Sequence, residues 1–244
     1  MGKIYYMMGK SSSGKDTLFK EVKQAMPELK TITLYTTRPI REGEHNGVEY
    51  FFVSEDTLNA YESQGKIIEM RAYHTVHGIW KYATIDDGQV DLDHENYLVI
   101  GTLESYDKMR TYYGASNLVP IYIEVEDGER LMRALKRERE QEVPRYAELC
   151  RRFLADTRDF SEENLANLGI TRRFVNQDRT QCLEEIIGEI RYGKLSRCGW
   201  PQRYYQIYRE CNKRRSGVSC IYYEWSTRLR EEAAGESFRD NTFV

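Results

Sequence analysis

Ile4-Tyr5-Tyr6-Met7-Met8-Gly9-Lys10-Ser11-Ser12-Ser13-Gly14-Lys15-Asp16-Thr17 is the stretch on which the fold turns. The first five residues are an unbroken apolar run stopped by Gly9. A run that short with no polar face reads as a strand buried on both sides. Gly9 to Gly14 is a Gly/Ser-rich turn. From Thr17 to Met26, Leu18, Val22 and Met26 recur at helical spacing until Pro27 ends the pattern. The order is therefore strand, glycine loop, helix. Gly9 to Lys15 also fits GxxxxGK, with Asp16 where Ser or Thr is usual and Thr17 next. The chemistry needs this spacing. The glycines let the backbone curl so that successive N–H groups point inward. The helix N-terminus adds partial positive charge, and the lysine adds a movable cation. Gly9, Ser11, Ser12, Ser13, Gly14, Lys15, Asp16 and Thr17 are thus candidates to hold a polyphosphate, with Lys15 also catalytic. The residue after the lysine normally helps hold Mg²⁺, which makes Asp16 and Thr17 candidate metal ligands.

Outward from this unit the pattern changes and then returns. Residues 31 to 85 carry short β-rich pieces at Thr31–Tyr35, Val48–Val53, Lys66–Tyr73 and Ile79–Thr84. Between them lies one short helix, Glu55 to Ser63, capped by Ser54. This block reads as a small mixed β subdomain. Tyr97–Ile100 is then a strand, followed by a helix near Ser105–Tyr112 and a strand at Val119–Val125. Asp127 opens a helix to about Gln141, and Pro144 a further helix to about Leu165. Ile170–Val175 is a strand and Arg179 to Arg191 a helix. Strands alternating with helices predict an α/β fold with a mostly parallel sheet flanked by helices.

Composition bounds the remaining choices. The chain has 244 residues, 36 Lys/Arg and 39 Asp/Glu, for a net charge of −3. It is long enough to bury a core without staples. A net acidic average gives no whole-chain case for nucleic acid as a partner. Mean hydropathy is −0.70. No apolar run approaches the roughly 20 residues of a membrane span, and no secretory signal is expected at the N-terminus. The five cysteines, Cys150, Cys182, Cys198, Cys211 and Cys220, are odd in number and lack CxxC spacing. Reduced thiols in a cytoplasmic protein are the expectation. The average hides an asymmetry. Arg191 to Val244 holds 11 Lys/Arg and 6 Asp/Glu, net +5, which leaves 25 and 33, net −8, for residues 1–190. The expected domains are a body over 1–192 and a basic, aromatic extension over 193–244. The extension reads as a docking segment, a homodimer interface built on its Tyr and Trp residues, or an Arg/Tyr nucleic-acid patch.

A second constellation is Thr36-Thr37-Arg38-Pro39-Ile40-Arg41-Glu42-Gly43-Glu44-His45-Asn46-Gly47-Val48-Glu49-Tyr50-Phe51-Phe52-Val53. Two arginines three apart followed by a tyrosine suit a dianionic phosphate, because guanidinium forks bind its oxygens bidentately. Phosphate loop and TTRxxRxGExxGxxYxFV together resemble the guanylate kinase family over about residues 3–191. The resemblance implies phosphoryl transfer from ATP with Mg²⁺ to GMP, with small-molecule nucleotides as partners. It implies that Arg38, Arg41 and Tyr50 hold the acceptor phosphate. Ile67-Ile68-Glu69 matches the family segment whose glutamate pairs with the guanine edge. Tyr82-Ala83-Thr84 matches the segment that sends a tyrosine to phosphate and a hydroxyl to the base. Arg137 and Arg152 match lid arginines that close over the transferring group, so Arg38, Arg137 and Arg152 join Lys15 as catalytic candidates. Phe174-Val175-Asn176 resembles a strand near adenine, which makes Asn176 a candidate ATP contact.

The resemblance also implies a body divided into a core (1–30 and 86–192), an acceptor-binding subdomain (31–85) and a helical lid (about 137–152). Three departures stand out. Leu34 replaces a serine that touches guanine in the family. The strand end reads Val99-Ile100-Gly101-Thr102-Leu103-Glu104 without the family aspartate, which leaves Glu104 as the nearest acid and a third metal candidate. The stretch His74–Lys81 is longer than in the family. GKD followed by a hydroxyl residue also resembles ribose 1,5-bisphosphokinase, a relative with another acceptor. Guanylate-kinase-like scaffold modules, which bind without turnover, are a further alternative.

Overall fold

The computed structural model describes residues 2–75 and 78–196. Strand β1 (Ile4–Met8) lies at the heart of a four-stranded sheet in the order β6-β1-β7-β8, where β6 is Tyr97–Ile100, β7 Leu118–Glu124 and β8 Phe174–Val175. Every pairing in it is parallel. All five residues of β1 are buried, as its apolar run requires. Ile4, Tyr6 and Met8 face one layer with Val99, Tyr106, Met109, Tyr122 and Phe160. Tyr5 and Met7 face the other, with Leu18, Val22, Phe174, Cys182 and Ile186. The first layer is covered by α3 (Leu103–Tyr113), the second by α1 (Lys15–Ala25) and α7 (Arg179–Ser196). A parallel strand covered on both faces carries apolar side chains in both directions.

A second sheet has the order β3-β2-β5-β4, from Phe51–Phe52, Tyr35–Thr36, Gly78–Ile85 and Ile67–Thr75. Its pairings are antiparallel except for β2 with β3. Helix α2 (Glu55–Ser63) closes its small core through Leu58, against Tyr35, Ala83 and Ile85. Ser54 caps α2 by accepting from the Thr57 N–H, as the sequence signals.

The strand expected at Thr31–Tyr35 contracts to Tyr35–Thr36. The backbone of Thr33 is taken by the Gln89 side chain, which accepts from its N–H at 2.9 Å and donates to its carbonyl at 3.2 Å. Val48–Val53 contracts to Phe51–Phe52 because the preceding residues form turns, Val48 N–H to His45 and Gly47 N–H to Tyr50. Ile170–Val175 contracts to Phe174–Val175, which pair with Ile123 and Glu124.

Helix α4 is Asp127–Arg139. The single helix expected from Pro144 to Leu165 is instead two, α5 (Tyr146–Asp159) and α6 (Glu162–Asn167). Phe160 leaves the helix to stack on Tyr122 in the core, centroids 5.6 Å apart, and Ser161 caps α6. Burying an aromatic ring outweighs a few helical hydrogen bonds that a cap largely restores. No helix among the described residues is long and apolar enough to cross a membrane. The readings made for the extension from residue 197 onward, with Cys198, Cys211 and Cys220, lie outside the described residues.

Candidate nucleotide-binding site

The phosphate loop runs between the C-terminal end of β1 and the start of α1. Its turn needs unusual backbone angles: Gly14 has φ +85° and Ser12 φ +63°, a region few side chains tolerate. Gly9 is fixed by proximity, since a Cβ there would stand 2.6 Å from the Ile123 carbonyl oxygen of β7. Lys15 opens the helix, its Nζ 3.5 Å from the Asp16 carboxylate. Asp16 and Thr17 are exposed, whereas Ser13 is buried. The Ser13 hydroxyl has no hydrogen-bond partner among the described residues.

The loop is anchored from three sides. Asn176 donates its side-chain N–H to the Ser13 carbonyl at 2.7 Å, and its own backbone N–H to the Glu124 carbonyl at 2.8 Å. The side-chain amide of this candidate ATP contact is thus occupied in holding the loop to the end of β8. Arg130, 1% exposed, donates to the Ser11 carbonyl at 3.0 Å and to Asp127 at 2.7 and 3.1 Å. Its guanidinium lies over the Phe153 ring at 4.7 Å and 3.6 Å from the Asp156 carboxylate. Asp156 accepts from the Ser11 N–H at 2.7 Å. Lys10 reaches Asp127 at 3.3 Å. Beside this network a cleft of about 360 Å³ opens among Lys10, Glu124, Glu126, Asp127, Arg130 and Val175. It lies at the C-terminal end of β7, where ligands of open α/β sheets bind.

Arg130, Asp127 and Asp156 were not singled out by sequence. The i,i+3 pair Asp127–Arg130 was the one local signal, but it is equally common on solvated helices. Arg137, by contrast, reaches the loop, its guanidinium 3.4 Å from the Ser12 hydroxyl. Arg152 does not: it is 60% exposed and, with Arg151, grips Glu148 at 2.7 Å. Those two arginines hold the Glu148 carboxyl down at about 2.

The acceptor candidates gather on the second sheet. Arg38 is buried between the Tyr50 and Phe52 rings, 5.1 and 5.2 Å from their centroids. It donates bidentately to Glu44 at 2.8 and 2.6 Å. The Arg41 backbone N–H donates to the same carboxylate at 2.9 Å, while the Arg41 side chain is exposed. Arg38 and then the Arg41 N–H hold the Glu44 carboxyl down at about 2. Tyr82 meets Tyr50 edge-on at 5.6 Å. Burial, then Tyr82, raises the Tyr50 phenol, which stays a neutral donor.

Glu69 is 2% exposed. Its carboxylate accepts from the Thr84 hydroxyl at 3.0 Å and from Arg71 at 3.1 and 3.2 Å. Arg71 carries no motif signal of its own, but standing two positions along the strand puts it on the same face as Glu69.

Glu104 lies apart from these groups, exposed on α3 and 3.5 Å from Lys108. No cluster of three or more His, Cys, Asp or Glu suited to a metal ion occurs among the described residues. A family model described as guanylate kinase matches residues 1–148.

The chain belongs to the guanylate kinase family.

It is similar to the guanylate kinase of Legionella pneumophila (strain Lens), 35% identical over 68 residues, 28% of this chain and 32% of that one. The guanylate kinase of Tropheryma whipplei (strain Twist) is 30% identical over 92 residues, 38% of this chain and 46% of that one. A Nostoc guanylate kinase is 41% identical over 68 residues, 28% and 34%. The chain thus spans a third to under half the length of these curated relatives. The crystal structure of guanylate kinase from Anaplasma phagocytophilum shares the fold, with a TM-score of 0.54 at 19% identity over 79% of this chain and 86% of that one. In this chain the glycine loop follows β1 and the arginine-bearing segment leads into the second sheet.

Proposed function

We propose that the chain is an ATP-dependent nucleoside-monophosphate kinase whose acceptor is GMP. One observation carries the reading: a phosphate loop bearing Lys15 occurs in the same chain as a buried, preformed Arg38 fork between aromatic rings. Gly9 and Ser11–Thr17, Lys15 among them, hold the ATP phosphates. The orphaned Ser13 hydroxyl is a donor suited to a phosphate oxygen. Arg38, Arg41, Tyr50 and Tyr82 orient the acceptor phosphate, and Glu69 with Thr84 reads the base. Arg137 closes over the transferring group, and Arg152 joins it by movement of α5.

Transfer of this kind needs positioning and charge stabilisation rather than covalent help, and an ionised acceptor phosphate needs no added base. The exposed oxygens of Asp16 and Thr17, beside the loop, are hard donors fit for Mg²⁺. When bound, the metal would neutralise charge on the β and γ phosphates. The subdomain division given above (core, acceptor subdomain 31–85, lid near 137–152, extension from 193) is part of the same proposal.

The test is ADP formation with Mg·ATP and GMP, dGMP, AMP, UMP or ribose 1,5-bisphosphate as acceptor. GMP should give the highest kcat/KM, and Arg38→Ala should lower it at least a hundredfold. Equal turnover of AMP and GMP would remove the guanine assignment. ATP binding without ADP formation from any acceptor would indicate a binding module.

A further inference from the structure

Glu69, the carboxylate assigned to the base, is already engaged. Arg71 Nε donates to one oxygen at 3.1 Å and its terminal nitrogen to the other at 3.2 Å. The Thr84 hydroxyl takes a further position on the second oxygen at 3.0 Å. A two-pronged donor on a carboxylate uses the lone pairs that face it, one from each oxygen. Guanine offers the same pattern, N1–H and the 2-amino group side by side. The fork and the base edge therefore need the same two lone pairs.

The pair sits where an acceptor would meet it. Arg71 lies opposite Tyr82 in the β4–β5 ladder, and Glu69 opposite Thr84. Tyr82 packs on Tyr50, which packs on Arg38, so one continuous face runs from the phosphate fork to Glu69. Arg71 also points a nitrogen at the Thr102 hydroxyl, 3.5 Å away at the C-terminal end of β6. That is the strand end that lacks an acid.

We propose that Arg71 is a specificity-determining residue: it competes with the guanine edge for Glu69 and lowers the affinity for guanine nucleotides without affecting adenine nucleotides. The inference rests on the acceptor reading above. A guanine ligand binds only the fraction of molecules in which the fork has opened, and its apparent affinity falls by that fraction. Adenine presents no donor pair and leaves the fork closed. A charge-assisted fork in a buried setting is worth about a factor of ten or more.

Equilibrium binding of GMP, IMP and AMP to the full chain at pH 8.5, by calorimetry, tests this without requiring turnover. Arg71→Ala should bind GMP about tenfold or more tighter than the wild type and IMP, which lacks the 2-amino group, less so. AMP should stay within about twofold. Arg71→Lys, which keeps the charge but cannot fork, should fall between. Glu69→Gln in the Arg71→Ala background should abolish the gain. A gain in affinity cannot arise from misfolding. Weaker GMP binding by Arg71→Ala, or a common shift for all three nucleotides, would overturn the proposal and make Arg71 a base contact or a structural tie. If the wild type binds none of them, the acceptor reading fails, but Arg71→Ala still decides. Acquired GMP binding supports the competition and continued silence refutes it.

Discussion

Replacing Arg130 by Met probes the anchor of the phosphate loop. The guanidinium is 1% exposed and serves Asp127, the Ser11 carbonyl and the neighbourhood of Asp156. Methionine retains much of the packing on Phe153 but none of the donors. Removing one partner from a buried ion pair costs about 3–5 kcal/mol, because the other is left charged and dry. Here the loss is smaller. Asp127 is 46% exposed and keeps Lys10, so its share is largely screened. Asp156 is 16% exposed and keeps the Ser11 N–H. The Ser11 carbonyl loses its donor outright. A net loss of about 2–3 kcal/mol follows, which lowers Tm by roughly 4–12 °C for a body of this size. Thermal unfolding followed by circular dichroism reads it directly. Part of the cost is the Asp156 charge left without that guanidinium, so Arg130→Met/Asp156→Asn should recover part of the loss. ATP affinity should fall about tenfold in the single variant, since the loop loses its tie to α4. A melting point within about 1 °C of the wild type would refute the reasoning, as would a double variant no more stable than the single one.

Asn176→Ala removes the donor to the buried Ser13 carbonyl. It should cost about 1–3 kcal/mol in urea unfolding and weaken ATP binding, with no change in the relative use of acceptors. Glu44 sets an acid limit on the Arg38 clamp. Its folded pKa, about 2, lies below the ordinary 4.5, so its contribution is complete above about pH 4.5 and is lost as pH falls toward about 2. The stability gap between wild type and Glu44→Gln should therefore be flat above about pH 5 and close on acidification. A gap that widens in acid would contradict the pairing.

Sequence reading and structure agree where a local rule has no rival. The run Ile4–Met8, the glycine loop and the 3.6-residue pattern after it are short-range statements, and β1, the loop and α1 follow them. Ser54 caps α2 for the same reason. Local rules fail where a side chain finds a partner far along the chain. Gln89 took the backbone of Thr33 from 56 residues away. Phe160 broke a helix to stack on Tyr122.

By itself, then, the sequence determined the parallel α/β core and the strand, glycine loop and helix that open it, because apolar period and glycine placement are local properties. Only the tertiary structure decided how those parts are held and occupied. Arg130 is three residues from Asp127 but 119 from Ser11, and no spacing rule tells a buried network from a solvated helix face. Asn176 meets Ser13 across 163 residues. Arg71 and Glu69 share a strand face, yet whether two opposite charges there pair with each other or with a ligand depends on the desolvation that Tyr82, Thr84 and the end of β6 impose around them.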